Sequence, residues 1–173
     1  SGTNKNVILS TGHSTYDDIS RAVNCFNKNN SLAILHCTAA YPSPVESMNL
    51  NCIPELINRF KGHKIGISDH ENGIDAASIA YMLGARVFEK HFTLNRADKG
   101  TDHKFSLEPV GLQKLIRNLH RIPKMLGSED KRPLEIEQKP VYKMSKSIVY
   151  KQAYKPGKTL DESCFEYRCP GDG

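Results

Sequence analysis

A chain of 173 residues with a formal net charge of +5 is long enough for one domain with its own apolar core. Its Lys and Arg are mixed with Asp and Glu rather than gathered into basic runs interleaved with aromatic residues, which argues against a nucleic-acid platform. No apolar stretch approaches the roughly 20 residues that span a bilayer, and no signal peptide is visible, so neither a membrane nor secretion is expected.

The first apolar, β-branched run covers residues 6–10 and ends in Ser10-Thr11-Gly12. Residues 15–29 then place Ile19, Ala22, Val23 and Phe26 on one helical stripe, with Asp17 and Asp18 in the first turn, where the helix dipole favours anions. Further runs at 32–36, 64–68 and 86–92 are continuously apolar rather than alternating, as suits strands buried on both faces of a parallel sheet. Helical patterns at 51–60, 73–83 and 108–126 separate or follow them. The last is the strongest, with Leu112, Leu115, Ile116, Leu119 and Ile122 in register and Gly127 as a stop. The order βαβαβαβα predicts a parallel α/β sheet with right-handed crossovers. After Gly127 the character changes. Residues 128–145, with Pro133 and Pro140, read as a linker, and 147–150 and 165–168 read as two short strands around a turn at 155–157. Lys and Arg thicken between Lys114 and Lys158, as a solvated basic surface does. The five cysteines, Cys25, Cys37, Cys52, Cys164 and Cys169, form no CxxC pair and point to a reducing cytoplasm.

The informative feature is what closes each strand. The four endings are Ser10-Thr11, His36-Cys37-Thr38, Ser68-Asp69-His70 and Glu89-Lys90-His91. In parallel α/β folds and barrels, ligands bind at the carboxyl ends of the strands. A lone strand-end histidine is more often structural, as His36 is expected to be. His70 and His91 differ because they close adjacent strands, and a barrel would aim both into one mouth. Two neutral imidazoles near carboxylates suit a divalent transition metal such as manganese, zinc or iron(II), with open positions left for water and substrate. Ser10, Thr38 and Ser68 could serve a phosphate through their hydroxyls and neighbouring N–H groups, or could be turn and cap residues. Asp102 and His103, in a charged loop after the fourth strand, are candidates for substrate hydroxyls or metal-bound water.

Taken together, Ser10-Thr11-Gly12, Leu35-His36-Cys37-Thr38 with Tyr41-Pro42, Gly66-Ile67-Ser68-Asp69-His70, Glu89-Lys90-His91-Phe92-Thr93-Leu94 and Gly100-Thr101-Asp102-His103 with Ser106-Leu107-Glu108-Pro109 resemble the N-acetylneuraminate (sialic acid) synthase family. The likeness runs from about residue 6 to the end. It implies a (β/α)8 TIM barrel, with residues 1–127 holding its second half of four βα units. Residues 128–145 would be a linker and 146–173 the truncated start of a small β antifreeze-like domain. It implies condensation of phosphoenolpyruvate with N-acetylmannosamine or a related N-acetylated hexose. The metal ligands would be His70 and His91, taking Mn2+ first, with Mg2+ or Co2+ as alternatives. Phosphate contacts are implied at Ser10 and Ser68, sugar contacts at Tyr41 and Asp102, and Asp69 is expected behind the metal ligands. Arg168 would reach a partner's site in a domain-swapped homodimer. Ala39 stands where some members carry an Asn that contacts phosphoenolpyruvate, His13 replaces a more usual Met, and Cys169 interrupts an Arg-Pro-Gly pattern. Two other readings remain: a fragment that binds metal or phosphate without turnover, and a flavodoxin-like phosphate domain, for which residues 10–14 make a poor loop.

Overall fold

The computed structural model describes residues 5–26 and 31–169, and the chain divides into two compact units, 1–127 and 128–173. In the first unit, β1 (Val7–Ser10), β2 (Leu32–Cys37), β3 (Lys64–Asp69) and β4 (Val87–Lys90) form one all-parallel sheet in sequential order. They alternate with α1 (Tyr16–Asn24), α2 (Cys52–Arg59) and α3 (Asp75–Met82), and α4 (Pro109–Leu126) follows β4. This is the expected four-unit parallel half-barrel. The fourth expected strand is shorter than residues 86–92: after Lys90 the pairing lapses, and Phe92 instead makes a single parallel bridge to Leu107. The first helix stops at Asn24 rather than 29, and residues 27–29 lie outside the described set.

The local chemistry explains the helix starts. Thr15 caps α1 by a reciprocal pairing, its hydroxyl accepting from the Asp18 N–H while the Asp18 carboxylate accepts from the Thr15 N–H. Pro109 opens α4, where a missing N–H costs nothing. The core gathers side chains from one face of the sheet, including Ile34, Ile65 and Ile67, against Ile19, Ile53, Leu56 and Ala80 of the helices.

Strand register separates the two faces. Side chains alternate along a strand, so the pairs Ile34↔Ile65, Ile67↔Phe88 and Asp69↔Lys90 face the helices. The rows Ser10↔Leu35↔Gly66↔Val87 and Cys37↔Ser68↔Glu89 face the other way, toward what would be a barrel lumen. Gly66 is required there. A Cβ at that position would lie 2.1 Å from the Val87 carbonyl oxygen, so any side chain would force β3 and β4 apart.

In the second unit, β5 (Ser147–Tyr150) and β6 (Phe165–Arg168) pair antiparallel. The stretch expected as a linker carries a 3-10 turn, Glu135–Glu137, and the helix α5, Gln138–Met144. Pro140 does not prevent this helix, because it falls in the first turn, where N–H groups lack helical partners anyway. Among the described residues no helix is long and apolar enough to cross a membrane.

Candidate active site

The carboxyl ends of β3 and β4 bring His70 and His91 together, with ring centroids 5.3 Å apart and planes at 82°. The register explains the meeting: His70 follows Ser68 by two residues and His91 follows Glu89 by two, so both continue the lumen-facing row. His70 is buried, and its Nδ1 lies 2.9 Å from the Thr38 carbonyl oxygen. A carbonyl only accepts, so Nδ1 must donate, leaving the lone pair on Nε2. The loop after β2 is in turn tied down, because the Ser43 N–H donates to the His70 carbonyl at 2.9 Å and the Ser43 hydroxyl to that of Thr38.

His91 is arranged in the same sense. Its Nδ1 lies 3.6 Å from Oδ2 of Asp102, too long for a hydrogen bond but close enough for the carboxylate to favour a hydrogen on that nitrogen. Tyr41 and Phe105 wall the pair, with ring centroids 4.1 Å from His70 and 5.0 Å from His91 respectively.

These features fit a divalent metal. Metal-binding histidines usually give their second nitrogen to a carbonyl or carboxylate, which fixes the tautomer; His70 does so here, and His91 has the Asp102 carboxylate near the same nitrogen. Nε2 of His70 is 3.4 Å from the Ser68 oxygen, but that hydroxyl spends its hydrogen on Glu89 Oε1 at 2.5 Å, so the nitrogen lone pair stays free. Among the described residues no group of three or more His, Cys, Asp or Glu is placed to hold a metal ion. What the described residues would offer a metal at this pair is therefore two imidazoles, with further positions left for other ligands. Cys37 lies in the same lumen-facing row as Ser68, and burial pushes its thiol above the ordinary range.

The other expected residues divide between the two faces of the sheet and its rim. Asp69, expected behind the metal ligands, sits on the helix-facing side, where Oδ2 pairs with Lys90 Nζ at 2.9 Å and Oδ1 accepts the Glu71 N–H. The oxygens that lie next to the ring nitrogens are instead the Thr38 carbonyl and an Asp102 carboxylate oxygen. The Thr38 hydroxyl, expected at a phosphate, donates to the Ser47 carbonyl at 3.0 Å. Ser10 is exposed on the lumen side, one row deeper than Ser68. Tyr41 is 55% exposed beside His70, and Asp102 beside His91 also accepts from the Thr101 hydroxyl. His103 lies off the pair, its Nδ1 2.6 Å from the Thr93 hydroxyl oxygen. His36 gives Nε2 to the Met48 carbonyl at 2.6 Å, the structural role expected of it. Arg168 is described within the second unit, paired with Glu166. Glu89 and Phe105 were not anticipated. Counting back two residues from His91 would have found Glu89; nothing in the sequence marks Phe105.

Residues 1–131 match the model of the NeuB family. The chain is 38% identical to the N,N'-diacetyllegionaminic acid synthase of Campylobacter jejuni, over 98% of this chain and 52% of that protein. It is 37% identical to mouse N-acetylneuraminate-9-phosphate synthase, over 89% of this chain and 43% of that one. The solved N-acetylneuraminic acid synthetase of Leptospira borgpetersenii, crystallised with citrate, superposes with a TM-score of 0.67 at 36% identity, over 79% of this chain and 48% of that one. The chain thus spans about half the length of the relatives it matches. The strand-end residues that carry the site fall within the matched span, and the chain belongs to the NeuB family.

Proposed function

We propose that this chain supplies the metal-binding half of the mouth of a synthase that condenses phosphoenolpyruvate with an N-acetylated hexose, N-acetylmannosamine or a relative. The product is a nine-carbon 2-keto sugar acid, with release of phosphate. The observation that carries this reading is the imidazole pair of His70 and His91, each with Nδ1 turned to an oxygen acceptor, at the carboxyl ends of adjacent parallel strands. A divalent metal held by the two Nε2 atoms, Mn2+ before Mg2+ or Co2+, would polarise the sugar aldehyde as a Lewis acid. Carbon 3 of phosphoenolpyruvate bonds to the aldehyde carbon, whose oxygen takes up a proton. Water then adds at carbon 2, and phosphate leaves with its bridging oxygen, so that carbon 2 ends as the ketone. Tyr41 and Asp102, on either side of the pair, would orient sugar hydroxyls. Ser10 and the Ser68–Glu89 pair would line the phosphoenolpyruvate side of the mouth.

By the same family likeness, residues 146–173 would open an antifreeze-like domain whose Arg168 reaches a partner's site in a domain-swapped homodimer. All five cysteines are free, which supports a reducing cytoplasm as the place of work. A second reading, metal and phosphate binding without turnover by this chain alone, is supported by the open lumen-facing row. Phosphate release from phosphoenolpyruvate, with Mn2+ and N-acetylmannosamine, separates the two. The chain is assayed alone and with a segment equivalent to the first half of its relatives. Sugar-dependent release in the second case alone supports both the synthase chemistry and the need for further barrel strands. No sugar-dependent release from the folded combination removes N-acetylmannosamine as the acceptor.

A further inference from the structure

The ammonium of Lys90 is bonded on both sides of His70. Nζ lies 2.9 Å from Oδ2 of Asp69 and also donates to the backbone carbonyl of Glu71. Oδ1 of Asp69 accepts the Glu71 N–H at 2.9 Å, which closes a three-residue ring of bonds. Lys90 itself immediately precedes His91. The residues flanking one histidine are thus joined to the residue before the other.

This pair is deeply buried, with side-chain exposures of 6% for Lys90 and 1% for Asp69, on the side where Ile67, Phe88 and Leu115 also lie. Desolvating two charges offsets most of their attraction, and a well-packed apolar pair often serves stability equally well. Stability alone therefore gives no reason for charges at this position. Direction does. Two apolar side chains pack acceptably over a range of offsets, whereas an ammonium held by a carboxylate and a carbonyl has one geometry. Because successive side chains point to opposite faces, fixing Asp69 against Lys90 on the helix side fixes His70 against His91 on the other.

We propose that the Lys90–Asp69–Glu71 clamp is a positioning device that sets the separation of the two imidazoles from the far side of the sheet. It rests on the reading of His70 and His91 as metal ligands, and neither Lys90 nor Asp69 touches the reacting atoms.

The test replaces the pair in the full chain with apolar groups, Asp69→Leu with Lys90→Met, and follows three readouts. These are the thermal midpoint, Mn2+ affinity by electron paramagnetic resonance, and ring-to-ring cross-relaxation between His70 and His91 by NMR without metal. The midpoint should hold while Mn2+ affinity falls about 10–100-fold, as for other groups that orient metal ligands, and the cross peak should weaken. Lys90→Arg alone, with Asp69 kept, leaves a cation within reach of both acceptors and should retain most of the affinity. If the apolar pair does not fold, Asp69→Asn with Lys90→Gln takes its place with the same expected losses. Unchanged affinity and an unchanged cross peak in a folded pair variant would overturn the clamp. If the unsubstituted chain binds no Mn2+ yet the variant still loses the cross peak, the metal reading fails and the clamp stands.

Discussion

On the helix-facing side of the β1–β4 sheet, Ile34, Ile65 and Ile67 are at most 4% exposed, and the polar pair Asp69 and Lys90 is closed upon itself. On the other side Ile8 is 59% exposed, Ser10 and Glu89 are open, and His70 gives Nδ1 to a backbone carbonyl, which leaves its lone pair on Nε2. The same four strands build both. Polar groups that satisfy one another hold structure, and polar groups that orient one another while keeping lone pairs outward are set for a ligand. The two faces differ in this respect at every row above Gly66.

The sharpest way to break the comparison is to unpair the closed side. Asp69→Ala leaves the Lys90 ammonium buried without its carboxylate and should cost about 3–5 kcal/mol in chemical denaturation. Ile67→Ala, which empties the apolar part of the same face, should cost about 2–5 kcal/mol. Ile8→Ala on the open face should stay within about 0.5 kcal/mol. Equal costs for Ile67 and Ile8 would mean that the open row is packed in solution. A smaller effect is expected at the rim, where Asp102→Asn removes the charge behind His91 and should weaken Mn2+ binding by about tenfold, the low end for such partners.

The most local effect concerns α1, away from both faces. Thr15→Ala should cost about 1 kcal/mol through the lost cap. The Asp18 carboxyl is held below the ordinary range, chiefly by the Thr15 hydroxyl and N–H. A depressed carboxyl contributes stability above its unfolded value, near pH 4, and loses it as pH falls through the lower folded value. Amide exchange in the first turn of α1 should therefore quicken below about pH 4, and Asp18→Asn should remove most of that dependence.

Much of this was legible in the sequence, for physical reasons that can be named. Continuous apolar runs marked the parallel strands most clearly in β2, where residues of both faces, Ile34 and Leu35, are fully buried, whereas the edge strand β1 leaves Ile8 exposed. The stripe of Leu112, Leu115 and Leu119 marked α4 because it packs toward the face that holds Ile67 and Phe88. His70 and His91 were found because adjacent strands end together. Asp69 was expected behind the metal ligands without regard to alternation, which turns a residue next to His70 toward the opposite face, where it meets Lys90. The Thr38 hydroxyl could not be judged from sequence, because its acceptor, the Ser47 carbonyl, is set by the fold of the intervening loop. The helix α5 was missed because Pro140 was read as a breaker without regard to its place in the first turn.

The most direct measurement is Mn2+ binding to the full chain by electron paramagnetic resonance, beside His70→Ala and His91→Ala. The account predicts one bound ion per chain and, in each variant, a loss greater than the roughly 100-fold upper range for groups that merely orient a ligand. Binding that survives both substitutions unchanged would contradict it and place any metal elsewhere.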